Sequence, residues 1–199
     1  MTIARPHVDL SEDRDGFRFR GGHNAIDLPA TLQARLKPAP RELLKTPDDL
    51  ARWLVSAGLA PTPPETTAAD LATARNLREA IYALANGRVA GARDVPRARA
   101  VVNEIAAGPS AVPRLSPDGQ LRLLGGAAAL LVTLARQAVH LFGSEAADHI
   151  RQCESPTCTL FFVDTSRSGM RRWCSMSGCG NKAKVAEFRR RQRKANTRR

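Results

Sequence analysis

Every cysteine of this 199-residue chain lies in its last quarter, as two Cys-x4-Cys pairs, Cys153 with Cys158 and Cys174 with Cys179, separated by 15 residues. A pair so spaced can turn both thiolates towards one ion. A second pair folded back onto the first completes the closed tetrahedral set that structural zinc takes. Two disulfides, or four unrelated buried thiols, are the alternatives. The orderly pairing, and the lack of any pointer to an oxidising compartment, favour one Zn2+. Four thiolates leave no position for an activated water, so the metal is expected to be structural and not catalytic.

The stretch around the cysteines sets an order of elements. Thr159 to Asp164 is aromatic and β-branched and reads as a strand; Thr165 to Gly169 is a polar turn; Met170 to Cys174 is expected to return as the partner strand. After Cys179 come Gly180 and Asn181, and then a helix-favouring run from Lys182 to about Lys194. Knuckle, hairpin, second pair and helix make a treble-clef-like layout with the last cysteine at the helix start. The metal would then orient the helix.

Cys179-Gly180-Asn181-Lys182 resembles the signature of the CGNR zinc finger, with Lys182 where that signature has Arg. Phe162-x-Asp164-x-Ser166 and Arg171-Arg172-Trp173-Cys174 are similar too. Upstream, Phe17 to Gly22, Asp27-Leu28, Leu43-Leu44 and Asp49 to Leu54 resemble the alanine-rich ABATE domain that precedes this finger in bacterial proteins described as stress-induced transcription regulators. The resemblance spans nearly the whole chain and is most specific in the last quarter. It implies DNA as a partner of the finger, and a first domain that senses a small-molecule effector or forms a homodimer.

Charge points the same way. Residues 165–199 hold 12 Lys or Arg and one acid, Glu187, a net +11, whereas residues 1–164 hold 19 basic and 18 acidic residues, a net +1. Zinc on four thiolates adds a formal −2 and leaves the asymmetry in place. A neutral body with a cationic end is the footprint of a polyanion partner. Gly180 and Asn181 are expected to offer amides at a helix start to a phosphate oxygen. Lys182, Lys184, Arg189, Arg190 and Arg193 would continue along the helix, and Arg171 and Arg172 would reach the same surface from the returning strand. Arg189 to Arg199 would add nonspecific attraction. An RNA- or ribosome-associated zinc protein and a protein-interaction zinc module remain the competing readings.

The first 150 residues read as helices. After a polar stretch to Asp15, Phe17 and Phe19 alternate with Arg18 and Arg20 in a short strand that stops at Gly21-Gly22. His23, Asn24 and Asp27 follow, with Ala25, Ile26, Leu28 and Leu32 available as an apolar helix face. Gly21, Gly22, His23, Asn24 and Asp27 form either a small-ligand corner or a tight strand-to-helix turn with a polar cap, and turn chemistry favours the second. Thr46-Pro47-Asp48-Asp49 starts a helix that Gly58 closes. Leu71, Ala74, Leu77, Ile81 and Leu84 mark a long amphipathic helix from Thr67 to Val89, with Arg75, Arg78 and Arg88 on a solvated face. Asp94 is expected to cap a helix to Ala107. Val112–Leu115 and Leu121–Leu124 flank a turn, Ala127–Phe142 is a buried helix, and Ser144 caps a last short helix from Glu145 to Arg151.

No run reaches the roughly 20 apolar residues of a membrane span, and the N-terminus carries acids where a signal peptide would be apolar, so a cytoplasmic protein is expected. Phosphate-loop, nucleophile-elbow and His-Glu-x2-His motifs are missing, and the four histidines, His7, His23, His140 and His149, are scattered; an enzyme is not expected. The reading is mostly α with minor β: a helical domain over 1–150 and a four-cysteine finger, with a β-hairpin and C-terminal helix, over 151–199.

Overall fold

The computed structural model describes residues 12–92 and 94–196. His7, with the rest of the polar start through Ser11, and the last three residues of the basic tail lie outside them.

Strands β1 (Asp13–Arg14) and β2 (Phe17–Arg18) form a hairpin turned by Asp15 and Gly16, both at positive φ. Phe17 and Phe19 are buried, and Phe19 stacks on Trp53 with ring centroids 6.1 Å apart. Helix α1 (Asn24–Asp27) tightens into a 3-10 turn over Leu28–Thr31. Leu32 does not extend this helix as expected; it lies in β3 (Leu32–Gln33), paired antiparallel with β4 (Arg41–Glu42). Pro29 lacks the N–H that would continue the α-helical ladder, so the helix stops there.

Helix α2 (Pro47–Ser56) starts on the expected capping box. Thr46 Oγ1 accepts from Asp49 N at 3.3 Å and Asp49 Oδ2 from Thr46 N at 2.9 Å. Thr67 and Asp70 repeat the device at the start of α3 (Ala68–Val89), with distances of 3.1 and 2.9 Å. Such caps are worth about 1 kcal/mol each. Leu71, Ala74, Leu77 and Ile81 bury one face of α3 against α4 (Pro96–Ala106) and α5 (Ala127–Phe142). Between α4 and α5 the hairpin β5 (Val112–Leu115) and β6 (Leu121–Leu124) forms over the expected residues, Val112 opposite Leu124 and Leu115 opposite Leu121. Leu130, Leu131 and Leu134 are fully buried in the core that α3, α4 and α5 share. Each buried Leu adds roughly 1.5–3 kcal/mol.

Three readings of this body are corrected by tertiary contacts. Arg78 is not on a solvated face: it is 4% exposed. Its guanidinium grips Glu42 at 2.7 and 2.8 Å, donates to Glu79 at 2.8 Å and reaches Thr31 at 3.3 Å. Burial alone would raise the Glu42 carboxyl, but hydrogen bonds from Arg78 and the Leu44 amide hold it below the ordinary glutamate range. Asp94 does not cap α4; Val95 takes that position, and Asp94 pairs with Arg99 instead. After Ser144 only Glu145–His149 turns, as a 3-10 segment, because Ile150–Gln152 is drawn into a strand, β7. Strand β8 (Phe161–Val163) pairs antiparallel with it. The final helix is α6 (Asn181–Asn196). No helix among the described residues is long and apolar enough to cross a membrane.

Candidate metal centre

Strands β7 and β8 build the first knuckle. Their ladder is extended by Cys153 N donating to Leu160 O at 2.9 Å, and Cys158 N closes the loop onto Ser155 O at 2.9 Å. The hairpin therefore brackets the first cysteine pair and does not lie between the two pairs, and Met170 to Cys174 is not its second strand. The far edge of β8 is already taken: Val163 N donates to Gly21 O at 2.9 Å. The returning segment is tied down differently. Asp164, 3% exposed, accepts from Ser166 N at 3.0 Å and Arg171 N at 2.9 Å, and Glu154 N donates to Arg172 O at 3.0 Å.

These ties bring the four sulfurs within 4.8 Å of one another. Cys158 Sγ lies 3.8 Å from Cys174 Sγ, which lies 3.7 Å from Cys179 Sγ. A tetrahedron with Zn–S bonds of about 2.3 Å has edges of about 3.8 Å, whereas a disulfide needs about 2.05 Å. The donor set fits zinc. Its electrostatics agree: hydrogen bonds from its neighbours lower the Cys153 thiol, and in donating to it Cys158 is pushed up to about 12 and Cys174 far above the thiol range, so the sulfurs alone hold protons between them. A divalent ion reverses that logic and holds all four deprotonated.

The second pair runs into the helix through a π turn, Met176–Gly180, capped by Ser175 Oγ accepting from Gly178 N at 3.1 Å. Gly180 is buried, and a Cβ there would meet Met176 Sδ at 3.0 Å and Trp173 Cδ1 at 3.3 Å. Gly180 N donates to Ser175 O at 2.9 Å and Asn181 N to Met176 O. The two amides expected to await a phosphate oxygen are therefore occupied by the π turn.

The remaining sequence candidates divide by direction. Arg171 turns inward: Nε donates to Trp173 O at 2.8 Å, Nη2 to Cys174 O, and the guanidinium lies 4.7 Å over the Phe162 ring. It secures the third cysteine from behind. Arg172 is exposed, over Trp173 at 5.0 Å and paired with Glu154 at 2.6 Å. Asn181, Lys182, Lys184, Arg189, Arg190 and Arg193 are all exposed along α6. Arg190 shares Glu187 with Arg191, and their hydrogen bonds draw that carboxyl down to about 2. Lys182, Lys184 and Arg189 make no ion pair among the described residues.

At the other sequence candidate, Gly21 N donates to Asp27 Oδ1 at 2.7 Å, and a Cβ on Gly21 would meet Ile26 at 2.7 Å. His23 Nδ1 accepts from Ala25 N at 3.2 Å, and Asn24 Nδ2 donates to Ala57 O at 3.1 Å. These polar groups serve the chain's own backbone, in the manner of a capped strand-to-helix turn.

Sequence reasoning assigned no role to Glu12, Arg20 or Ser175. Glu12 Oε2 accepts from Ser175 Oγ at 2.5 Å and faces Arg20 Nε at 3.4 Å, while Arg20 packs under Gly178. This clasp joins residues more than 150 apart in sequence, so no local pattern could announce it. Asp164 did carry a signal, the Phe162-x-Asp164-x-Ser166 motif, whose Asx-type acceptance by Ser166 N is a local turn.

Two family models match the chain: ABATE, described as "Putative stress-induced transcription regulator", over residues 22–145, and the CGNR zinc finger over residues 149–192. No curated protein matches it.

Proposed function

The chain belongs to the ABATE family and carries the CGNR zinc finger, and from that membership we propose a regulator whose finger binds duplex DNA. Family and four-cysteine cluster together support a zinc-binding regulator; DNA is the further step. The observation that carries it is α6, a helix set at its base by Cys179, with Lys182, Lys184, Arg189 and Arg193 exposed along its length. A cationic helix held at a fixed angle by a metal is suited to a groove, with phosphate contacts setting register and base contacts setting sequence.

In this reading residues 151–199 form the DNA-binding unit, and residues 1–150 sense an effector or dimerise, in the cytoplasm and without catalysis. Arg172, Asn181, Lys182 and Lys184 contact the duplex near the zinc site, and Arg189, Arg190 and Arg193 add attraction farther out. Arg171 positions the second cysteine pair. The test is a salt titration of affinity for duplex DNA and for single-stranded and structured RNA, using the full zinc-loaded chain. Trimming after Phe188 should flatten the slope for duplex DNA by about 0.9 log unit for each phosphate no longer neutralised. Asn181→Ala should cost about 1–3 kcal/mol at a cognate site if it reads a base.

A second reading has its own observation. Val185 and Phe188 are 41% and 62% exposed on the same helix, an apolar stripe that a protein partner would cover. Tighter binding to RNA at matched salt would favour the RNA module, and no binding to either nucleic acid at low salt would favour the protein partner.

A further inference from the structure

Away from the finger, α3, α4, α5 and the turn between α3 and α4 line a half-open cavity of about 230 Å³. Its wall is apolar, from Leu84, Val95, Val102, Ala138, Val139 and Phe142, and Arg88 and Arg99 stand at its rim. The two arginines differ. Arg99 is held by both oxygens of Asp94, at 2.9 and 3.2 Å. Arg88, in the last turn of α3, pairs with Asp148 through Nη2 at 3.1 Å, and Asp148 is 74% exposed. Arg88 Nε is buried and donates to no acceptor among the described residues. A buried N–H left without a partner is costly, and once the Arg88 side chain turns away from Asp148, which lines the adjoining cleft and not this cavity, its Nε and one Nη form the fork that a carboxylate fills with two parallel bonds.

We propose that this cavity binds a small monocarboxylate with an apolar body, whose carboxylate takes Arg88 from Asp148. Among the described lining residues Arg88 is the one cation not held by both oxygens of a carboxylate, which calls for one negative charge. Size agrees: a dry cavity of about 150 Å³ holds benzene, so this one takes a single ring with a short carboxylate arm. Displacement is inexpensive, because a pair with so exposed a carboxylate contributes little.

The displaced residue lies at the entrance to the finger. Asp148 O accepts from Arg151 Nη1 at 2.6 Å, His149 O accepts from Asp164 N at 2.8 Å, and β7 then leads to Cys153. Arg88 also lines an adjoining cleft with Ile150 and Arg151. Occupation of the cavity therefore removes one weak tether of residues 148–152, a small loosening that leaves the backbone bonds of β7 in place. Any consequence for DNA affinity rests on the regulator reading; the binding and the loosening do not.

The experiment is calorimetric titration of the full zinc-loaded chain with phenylacetate and with 2-phenylethanol, its neutral counterpart, combined with hydrogen exchange of the 148–152 amides. Phenylacetate should bind, with the alcohol and the Arg88→Gln variant each weaker by about tenfold or more. Asp148→Asn removes the competing carboxylate, so phenylacetate should bind it several-fold tighter, with the 148–152 amides already exchanging faster without ligand. This variant changes an exposed side chain, so its result stands even if Arg88→Gln folds poorly. No heat from either the parent or Asp148→Asn up to about 10 mM, equal affinity for the alcohol, or no gain in Asp148→Asn would each overturn the proposal.

Discussion

The helical body and the zinc finger are held together by different physics within one chain. The body buries a continuous apolar cluster running from Phe17 to Val163, including fully buried Trp53, Leu77, Ile81 and Leu134. Among the described residues the finger buries only Leu160 and Phe162 around Cys153 and Cys174, with half-buried Trp173 and the body's Ala30 packed against them. So small a cluster cannot offset the entropy of ordering the two knuckles, and the metal bonds must do so. Strand β8 joins the two regimes through its alternation. Phe161 and Val163 point into the body's core, with Phe161 edge-on to Tyr82 at 5.3 Å, while Phe162 points into the finger's cluster. The finger is thus docked by apolar packing on one side of a strand and assembled by metal on the other.

The largest expected effect tests that division directly. Purified protein should carry about one zinc per chain, and chelation, or Cys174→Ser, should remove binding free energy of the order of 10–16 kcal/mol. Amide protection over 153–158 and 171–181 should vanish while α3, α5 and β8 keep theirs; hydrogen exchange reads both. Melting of the body along with the finger would break the comparison.

Next come the two aromatic anchors. Trp53→Ala and Phe162→Ala each leave a cavity worth roughly 3–5 kcal/mol. Denaturant unfolding should show the first as a lowered midpoint of the body, and competition with a zinc chelator should show the second as weakened metal affinity. If Phe162→Ala shifts only the body, β8 does not divide its faces as described.

Smaller again is the buried ion pair. Arg78→Ala strands Glu42 and should cost about 3 kcal/mol, with residual access to water at Glu42 limiting the loss. Because the folded carboxyl of Glu42 lies below its unfolded value, its contribution is fully present above the unfolded pKa of about 4.3 and is lost as pH falls through the folded value. The parent should therefore lose stability below about pH 4, and Arg78→Ala should lose less over that range.

Smallest is the effect of α6 on stability. Replacing Lys182, Lys184 and Arg189 together by Ala should leave the unfolding free energy within about 0.5 kcal/mol of the parent, while DNA affinity loses part of its salt dependence. A large stability loss would mean that α6 packs against the body and is not a free-standing cationic helix.

Much of this molecule is local and was readable from residue order. Thr46-Pro47-Asp48-Asp49 and Thr67 with Asp70 set helix starts through bonds spanning three residues, and the three- and four-residue spacing of Leu71, Ala74, Leu77 and Ile81 set the buried face of α3. The hairpin around Ser116 to Gly119 and the span of α5 follow from similar short-range signals. The cysteine spacing likewise pointed to the four residues whose sulfurs converge, because each pair needs only one turn to do so. What the chain order could not decide depends on partners far away. Whether β8 pairs with Ile150–Gln152 or with Met170–Cys174 is settled by Gly21 O occupying its other edge, and Arg78 is buried because Glu42 and Thr31 come to meet it. Arg171 and Arg172 are neighbours with the same side chain, yet the carbonyls of Trp173 and Cys174 turn one inward and leave the other exposed. Helix caps and turns close over a few residues whatever surrounds them, but strand partners, buried charges and the direction of a guanidinium are chosen by groups that only the fold brings within hydrogen-bonding reach.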